Sequence, residues 1–156
     1  CPRVLPGPAP HPTDLQARVH ELGLTQVQLP GDIDDVPEVL ARCQVFVLLS
    51  DHEGQPISVI EAMRAGLPIV ANHLPGIRTQ ATHGHEALLT PNRPNDVADA
   101  IQRLLGDPQQ RVRMGLAARE RYERQFAVQT MADRTAEIYE AIPGAPSPET
   151  WDRTQA

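Results

Sequence analysis

Val45-Phe46-Val47-Leu48-Leu49-Ser50-Asp51-His52-Glu53-Gly54-Gln55-Pro56-Ile57-Ser58-Val59-Ile60-Glu61-Ala62-Met63-Arg64-Ala65-Gly66-Leu67-Pro68-Ile69-Val70-Ala71 decides the fold class. Val45 to Leu49 has no polar interruption, as expected of a strand buried on both faces. Pro56 suits the first turn of a helix, where its missing N–H costs nothing. That helix is expected to run to about Ala65 and to stop at Gly66. Leu67 to Ala71 is the next strand, with Pro68 at its entry. Strand, helix and strand in this order are the unit of an α/β fold with a parallel sheet.

The alternation extends both ways. Upstream, Thr13-Asp14-Leu15-Gln16 reads as a capping box. It opens a helix with Leu15, Val19 and Leu22 on one face, stopped at Gly23. Gln26 to Leu29 is a short strand, and Asp34 or Asp35 caps a short helix carrying Val36, Val39 and Leu40. Downstream, Pro75-Gly76-Ile77 begins a turn or short helix, and Ala87-Leu88-Leu89 is a last strand. Three helices close the chain. The first is capped by Asn95 and carries Val97, Ile101, Leu104 and Leu105. The second runs from about Pro108 to Arg124, its arginines mixed with Glu120 and Glu123 as on a solvated face. The third carries Met131, Thr135, Ile138, Tyr139 and Ile142 on one stripe, expected to pack into the core. Residues 1–13, rich in proline, read as an extended linker or a cut end, and residues 143–156 as a flexible tail. The domain proper is residues 14–142.

Composition excludes several classes of function. A net charge of −6 argues against a nucleic-acid backbone or an anionic membrane as the main partner. All 14 basic residues are arginine, so no Schiff-base chemistry on a lysine is available within this chain. Cys1 and Cys43 make neither a disulfide framework nor a metal-type spacing, and Cys43 reads as a buried small hydrophobe. His83-x-His85 lacks a third ligand at suitable spacing. No signal peptide or long apolar run is present, which makes a cytoplasmic protein the expectation.

Glu53 and Glu61 stand eight positions apart, one in the loop leaving a strand and one on the following helix. Ligands of open α/β sheets bind in the crevice beyond the carboxyl ends of the strands. Two carboxylates there can accept from the hydroxyls of a sugar and a ribose. Gly54, before the helix, allows φ > 0 and close backbone approach. The first N–H groups of that helix form an anion pocket suited to phosphate.

The constellation Glu53-Gly54-x-Pro56, Glu61-Ala62-Met63-x-Ala65-Gly66-x-Pro68-Ile69-Val70-Ala71 and Pro75-Gly76-Ile77 resembles glycosyltransferase family 4. Gly31 to Ala41, Asn95 to Leu105, Arg113-Met114-Gly115 and Ala117-Ala118-Arg119 extend the resemblance over roughly residues 14–142. It implies a GT-B fold, of which this chain is the Rossmann-like donor-binding domain: a three-layer α/β sandwich with a mostly parallel sheet, followed by C-terminal helices. It implies transfer of a sugar from a UDP-, GDP- or ADP-linked donor to a glycan, lipid or small-molecule acceptor, with retention and without a metal or other cofactor. By position, Glu53 approaches the donor sugar and Glu61 binds the ribose. Gly54, Gln55, Pro56 and Ile57 lie near the donor, and His52 is a candidate contact beside them.

Three departures stand out. Gln55 replaces a usual aromatic, Arg78-Thr79-Gln80 stands where a Glu is frequent, and His85-Glu86-Ala87-Leu88-Leu89 replaces Asn-Gly-x-Leu-Val. The family's donor domain also begins with strands carrying an Arg and a Lys for the diphosphate, and is preceded by an acceptor domain. Residues 1–156 contain neither. The sheet is therefore expected to be truncated at its N-terminal end, the isolated chain to be inactive, and the open sheet edge to favour self-association. The full-length protein is expected to be cytoplasmic or peripheral at the membrane. The alternative is a non-catalytic or degenerate nucleotide-sugar-binding or interaction domain.

Overall fold

The computed structural model describes residues 3–4 and 12–142. The chain divides into two compact units, Cys1–Cys43 and Gln44–Ala156. In the first, β1 (Arg3–Val4) pairs in parallel with β2 (Val27–Gln28), Arg3 facing Val27. The expected linker thus contains a short strand. Its residues 1–2 and 5–11, and the expected tail at 143–156, lie outside the described residues. Helix α1 (Pro12–Glu21) begins at its proline, so Thr13 lies inside the helix and not at its cap. The fixed φ of proline is already helical, which makes Pro12 the natural first residue. In α2 (Val36–Ala41), Asp35 is the cap: its Oδ1 accepts from the Glu38 N–H at 2.9 Å. Cys43 is half-buried, not buried, and its thiol donates to the Val39 carbonyl.

The second unit carries the expected α/β pattern. Strands β3 (Phe46–Leu48), β4 (Ile69–Asn72) and β5 (Ala87–Thr90) form a sheet in that order, all parallel. Leu48 aligns with Ala71, and Ala71 with Leu89. Helix α3 (Ile57–Arg64) packs on β3 and β4, and α5 (Pro94–Gly106) on β4 and β5. The core joins Val70 and Leu88 of the sheet to Val97, Ala100 and Leu104 of α5 and Met114 of α6 (Pro108–Gln125).

Burial differs from expectation on β3. Val47 and Leu49 are 39% and 44% exposed, whereas β4 and β5 are buried throughout. An uninterrupted apolar run cannot tell an edge strand from a central one, and among the described residues β3 pairs with β4 alone in the three-stranded sheet.

Local rules explain the helix ends. Val59, Ala62 and Met63 form the buried face of α3 at the three–four spacing of a helix. Gly66, at φ +70°, closes α3: its N–H reaches the Met63 carbonyl and the Leu67 N–H the Ala62 carbonyl. That crossed pair satisfies carbonyls the helix leaves open and requires a left-handed residue. Pro56 is the N-cap of α3, one position before the expected first turn. In α5 the cap is Arg93, with Pro94 in the first turn, so Asn95 is internal. Asp107 caps α6 by accepting from the Gln110 N–H at 2.8 Å.

The expected core stripe of α7 (Val128–Glu140) lies in solvent: among the described residues none of that helix is buried. Met131 is 55% exposed and Ile138 66%. Periodicity shows that a helix has an apolar face; it does not supply the element that covers it.

Candidate functional site

Three parallel strands end at one side of the sheet, and each ends in a polar residue. Apolar Phe46–Leu48 leads to Ser50, Ile69–Ala71 to Asn72, and Ala87–Leu89 to Thr90. Asn72 and Thr90 are buried although polar. The loop from Ser50 to Pro56 leaves the sheet at this end and enters α3, which places Glu53 and Glu61 on one strand–helix connection.

Glu53 is half-buried and accepts a hydrogen bond from the Ser50 hydroxyl at 2.6 Å. Ser50 is itself held by Asn72. The Ser50 N–H donates to Asn72 Oδ1 at 3.2 Å, and Asn72 Nδ2 donates to the Ser50 carbonyl. Glu61 is half-buried on α3, about 6 Å along the axis from Ile57. Helical Cα–Cβ bonds tilt toward the N-terminus, so the Glu61 side chain leaves the helix on the loop side of its own Cα. Among the described residues it has no hydrogen-bond or ion-pair partner, which leaves its oxygens available to a ligand.

His52, Gly54, Gln55 and Ile57 are exposed, and Pro56 is buried. Pro56 lends α3 no side-chain cap, and among the described residues no side chain accepts from the first N–H groups of the helix. A helix N-terminus in that condition attracts anions.

Gly54 departs from expectation. Its φ is not positive, and a Cβ added there would meet open space. The close approach falls on Gly76 of α4 (Pro75–Gln80), where a Cβ would overlap the carbonyl oxygens of Gly54 and Glu53. The same helix holds the far end of the loop: Gln80 is fully buried and its Nε2 donates to the Pro56 carbonyl at 3.1 Å. The loop is thus held by Asn72, Gly76 and Gln80, all distant in sequence.

Behind α4, Arg121 corrects the reading of α6 as a wholly solvated face. Its guanidinium donates to the Thr79 carbonyl, the Thr82 hydroxyl and Glu86 Oε1. Burial pushes the Glu86 carboxyl up. The Thr82 N–H, His85 and Arg121 together outweigh it and hold Glu86 below the ordinary carboxylate range. His83, weighed above as a metal ligand, accepts the Leu89 N–H on its Nδ1 at 3.0 Å. His85 meets Glu86. A depression in the first unit, lined by Val19, Leu24, Val27 and Leu29, carries no carboxylate.

Ser50, Asn72 and Arg121 were not among the residues singled out from sequence, and Gln80 and Glu86 stood there only within departures from the family's pattern. For Ser50 and Asn72 a signal existed: a polar residue directly after each apolar strand. For Gln80 and Arg121 there was none, because helical position does not reveal a partner 24 or 35 residues away.

The model of the family glycosyl transferases group 1 matches residues 4–121. The chain belongs to that family. Alpha-D-kanosaminyltransferase of Streptomyces kanamyceticus is 29% identical over 146 residues, covering 91% of this chain and 38% of the relative. A GDP-mannose-dependent alpha-(1-6)-phosphatidylinositol monomannoside mannosyltransferase of Mycobacterium tuberculosis (strain ATCC 25618 / H37Rv) is 31% identical over 146 residues, covering 86% and 38%. Among solved structures, Anabaena Alr3699/HepE in complex with UDP superposes with a TM-score of 0.83 at 26% identity. It covers 90% of this chain and 41% of that one. The same protein bound to UDP-glucose gives 0.81. The chain therefore spans about two fifths of the length of these relatives. Among its described residues, no helix is long and apolar enough to cross a membrane.

Proposed function

We propose that this member of the group 1 glycosyl transferases binds the nucleotide-sugar donor of a retaining, hexosyltransferase-like reaction. Residues 14–142 form the donor-binding domain of a larger, cytoplasmic enzyme that touches the membrane peripherally if at all. In this reading Glu61 grips the ribose and Glu53 faces the donor sugar, as a Glu-x7-Glu motif. The N–H groups after Pro56 receive the diphosphate, with His52, Gly54, Gln55 and Ile57 around it. As the glycosidic bond breaks, its electron pair leaves on the diphosphate, and positive charge grows on the sugar. A carboxylate already in place beside that charge lowers the barrier without a metal. The acceptor oxygen then bonds to the same carbon on the face the diphosphate leaves, and the acceptor's hydroxyl proton passes to the departing diphosphate oxygen. Isolated, the chain binds donor without turnover, because the acceptor wall belongs to the rest of the protein.

The observation that carries this reading is one strand–helix connection holding Glu53 and, among the described residues, a helix start without a side-chain cap and a Glu61 without a side-chain partner, in a chain of this family. That HepE is seen with UDP and UDP-glucose supports a nucleotide-sugar as the ligand class. Calorimetry with UDP-, GDP- and ADP-sugars tests it. Binding of one of the three is expected, with Glu61→Ala weakening it about tenfold or more through loss of hydrogen bonds to a charged acceptor. Binding of none, or an affinity indifferent to Glu61→Ala, overturns it.

A second reading is nucleotide-sugar binding without transfer. Its support is Thr79: where the resemblance expects a carboxylate, the Thr79 hydroxyl is turned to the Gly76 carbonyl within α4. Glycosyl transfer by the full-length protein separates the two.

A further inference from the structure

We propose that Ser50, braced by Asn72, is a positioning residue for the Glu53 carboxylate. This rests on the donor-facing role proposed for Glu53 and adds the device that aims it. By register, Leu48 faces Ala71, so Ser50 would face His73 if the ladder continued. It does not continue. The Asn72 side chain takes the place of the ladder, with its oxygen on the Ser50 N–H and its nitrogen on the Ser50 carbonyl. A planar amide satisfying both backbone groups of one residue fixes where that residue sits and which way it turns. Asn72 is 4% exposed, which shields its side of these bonds from water. The consequence is local. The Ser50 hydroxyl is directed three residues along the chain, onto Glu53 Oε1.

A carboxylate at the end of two methylene groups samples several rotamers unless something selects one. A hydroxyl donating to one of its oxygens is a charge-assisted bond and selects strongly. It occupies Oε1 and leaves Oε2 for the sugar. Sheet, amide, hydroxyl and carboxylate thus form one chain of contacts from the end of β4 to the reactive loop. Gly76 and Gln80 hold the loop backbone; Ser50 holds the side chain that does the chemistry.

The test uses Ser50→Ala, Ser50→Thr and Glu53→Gln in the full-length protein, with UDP as the binding probe and glycosyl transfer as the activity. Ser50→Ala is expected to lower kcat about tenfold, the worth of one hydrogen bond to a charged group, with UDP affinity changed less than twofold. Ser50→Thr keeps the hydroxyl and restores at least half of the activity. In the Glu53→Gln background, Ser50→Ala adds little, because the hydroxyl acts through Glu53. A loss of equal size in both backgrounds, or Ser50→Thr as poor as Ser50→Ala, overturns the proposal. A second readout needs no turnover: the 13Cδ resonance of Glu53, assigned by its loss in Glu53→Gln, moves in Ser50→Ala and stays in Ser50→Thr. If it does not move, the positioning role falls. If instead Glu53→Gln leaves transfer intact, the role of Glu53 itself falls, which the Ser50 variants alone cannot produce.

Discussion

Gly76 lies against the Gly54 carbonyl so closely that a single added carbon would overlap its oxygen. Gly54 itself faces open space. The loop bearing Glu53 is therefore shaped by a glycine in another element. Gly76→Ala is expected to destabilise the fold by about 1–3 kcal/mol, the usual cost of overpacking. Gly54→Ala is expected to stay within about 0.5 kcal/mol. Urea denaturation of both variants checks the contrast, and a harmless Gly76→Ala sinks it.

Gly115 repeats the relation away from the site. A Cβ there would overlap the Gly66 carbonyl, where the end of α3 meets α6. Gly115→Ala should cost about 1–3 kcal/mol as well. Unlike Gly76→Ala, it should leave the UDP affinity of the folded protein unchanged. Denaturation and calorimetry on one variant test both halves.

Gln80 replaces what a short helix would ordinarily bury as an apolar residue. Gln80→Leu keeps the volume but strips the side-chain bond from the Pro56 carbonyl. A loss of about 1–2 kcal/mol is expected, close to the net worth of a buried hydrogen bond. Hydrogen exchange of the Val59 amide, which also donates to Pro56, should accelerate as the loop loosens.

Glu86 links stability to pH. Its carboxyl is held below the ordinary value of 4.5, so the folded state favours the ionised form. The stability this supplies is present in full above 4.5 and is lost as pH falls through the lower, folded value. Glu86→Gln should cost about 2 kcal/mol at pH 7, where it leaves Arg121 without its buried partner. Wild type and variant should draw together as pH falls below 4.5 and converge below the lower, folded value. Thermal melts between pH 3 and 7 decide it; parallel curves would refute the link.

The apolar stripe of α7 is exposed among the described residues. Ile138→Asp should therefore shift the stability of this chain by no more than about 0.5 kcal/mol. A large drop in melting temperature would show that the stripe is covered in solution.

Sequence alone determined the class of this protein. Uninterrupted apolar runs at Phe46–Leu48, Ile69–Ala71 and Ala87–Leu89, separated by helical patterns, leave few alternatives to a parallel α/β sheet. The motif constellation from Glu53 through Glu61 to the Pro75-Gly76-Ile77 turn carried the resemblance to the family, and chain order alone places Glu53 and Glu61 on one strand–helix connection. Tertiary structure decided the rest. It left β3 at the end of the three-stranded sheet among the described residues, moved the need for glycine from Gly54 to Gly76, and turned Arg121 from solvent to Glu86. It also set Asn72 and Ser50 behind Glu53. The reason is physical. Period and propensity act over one or two helical turns, whereas each of these relations depends on which strands and helices become neighbours after the chain has folded.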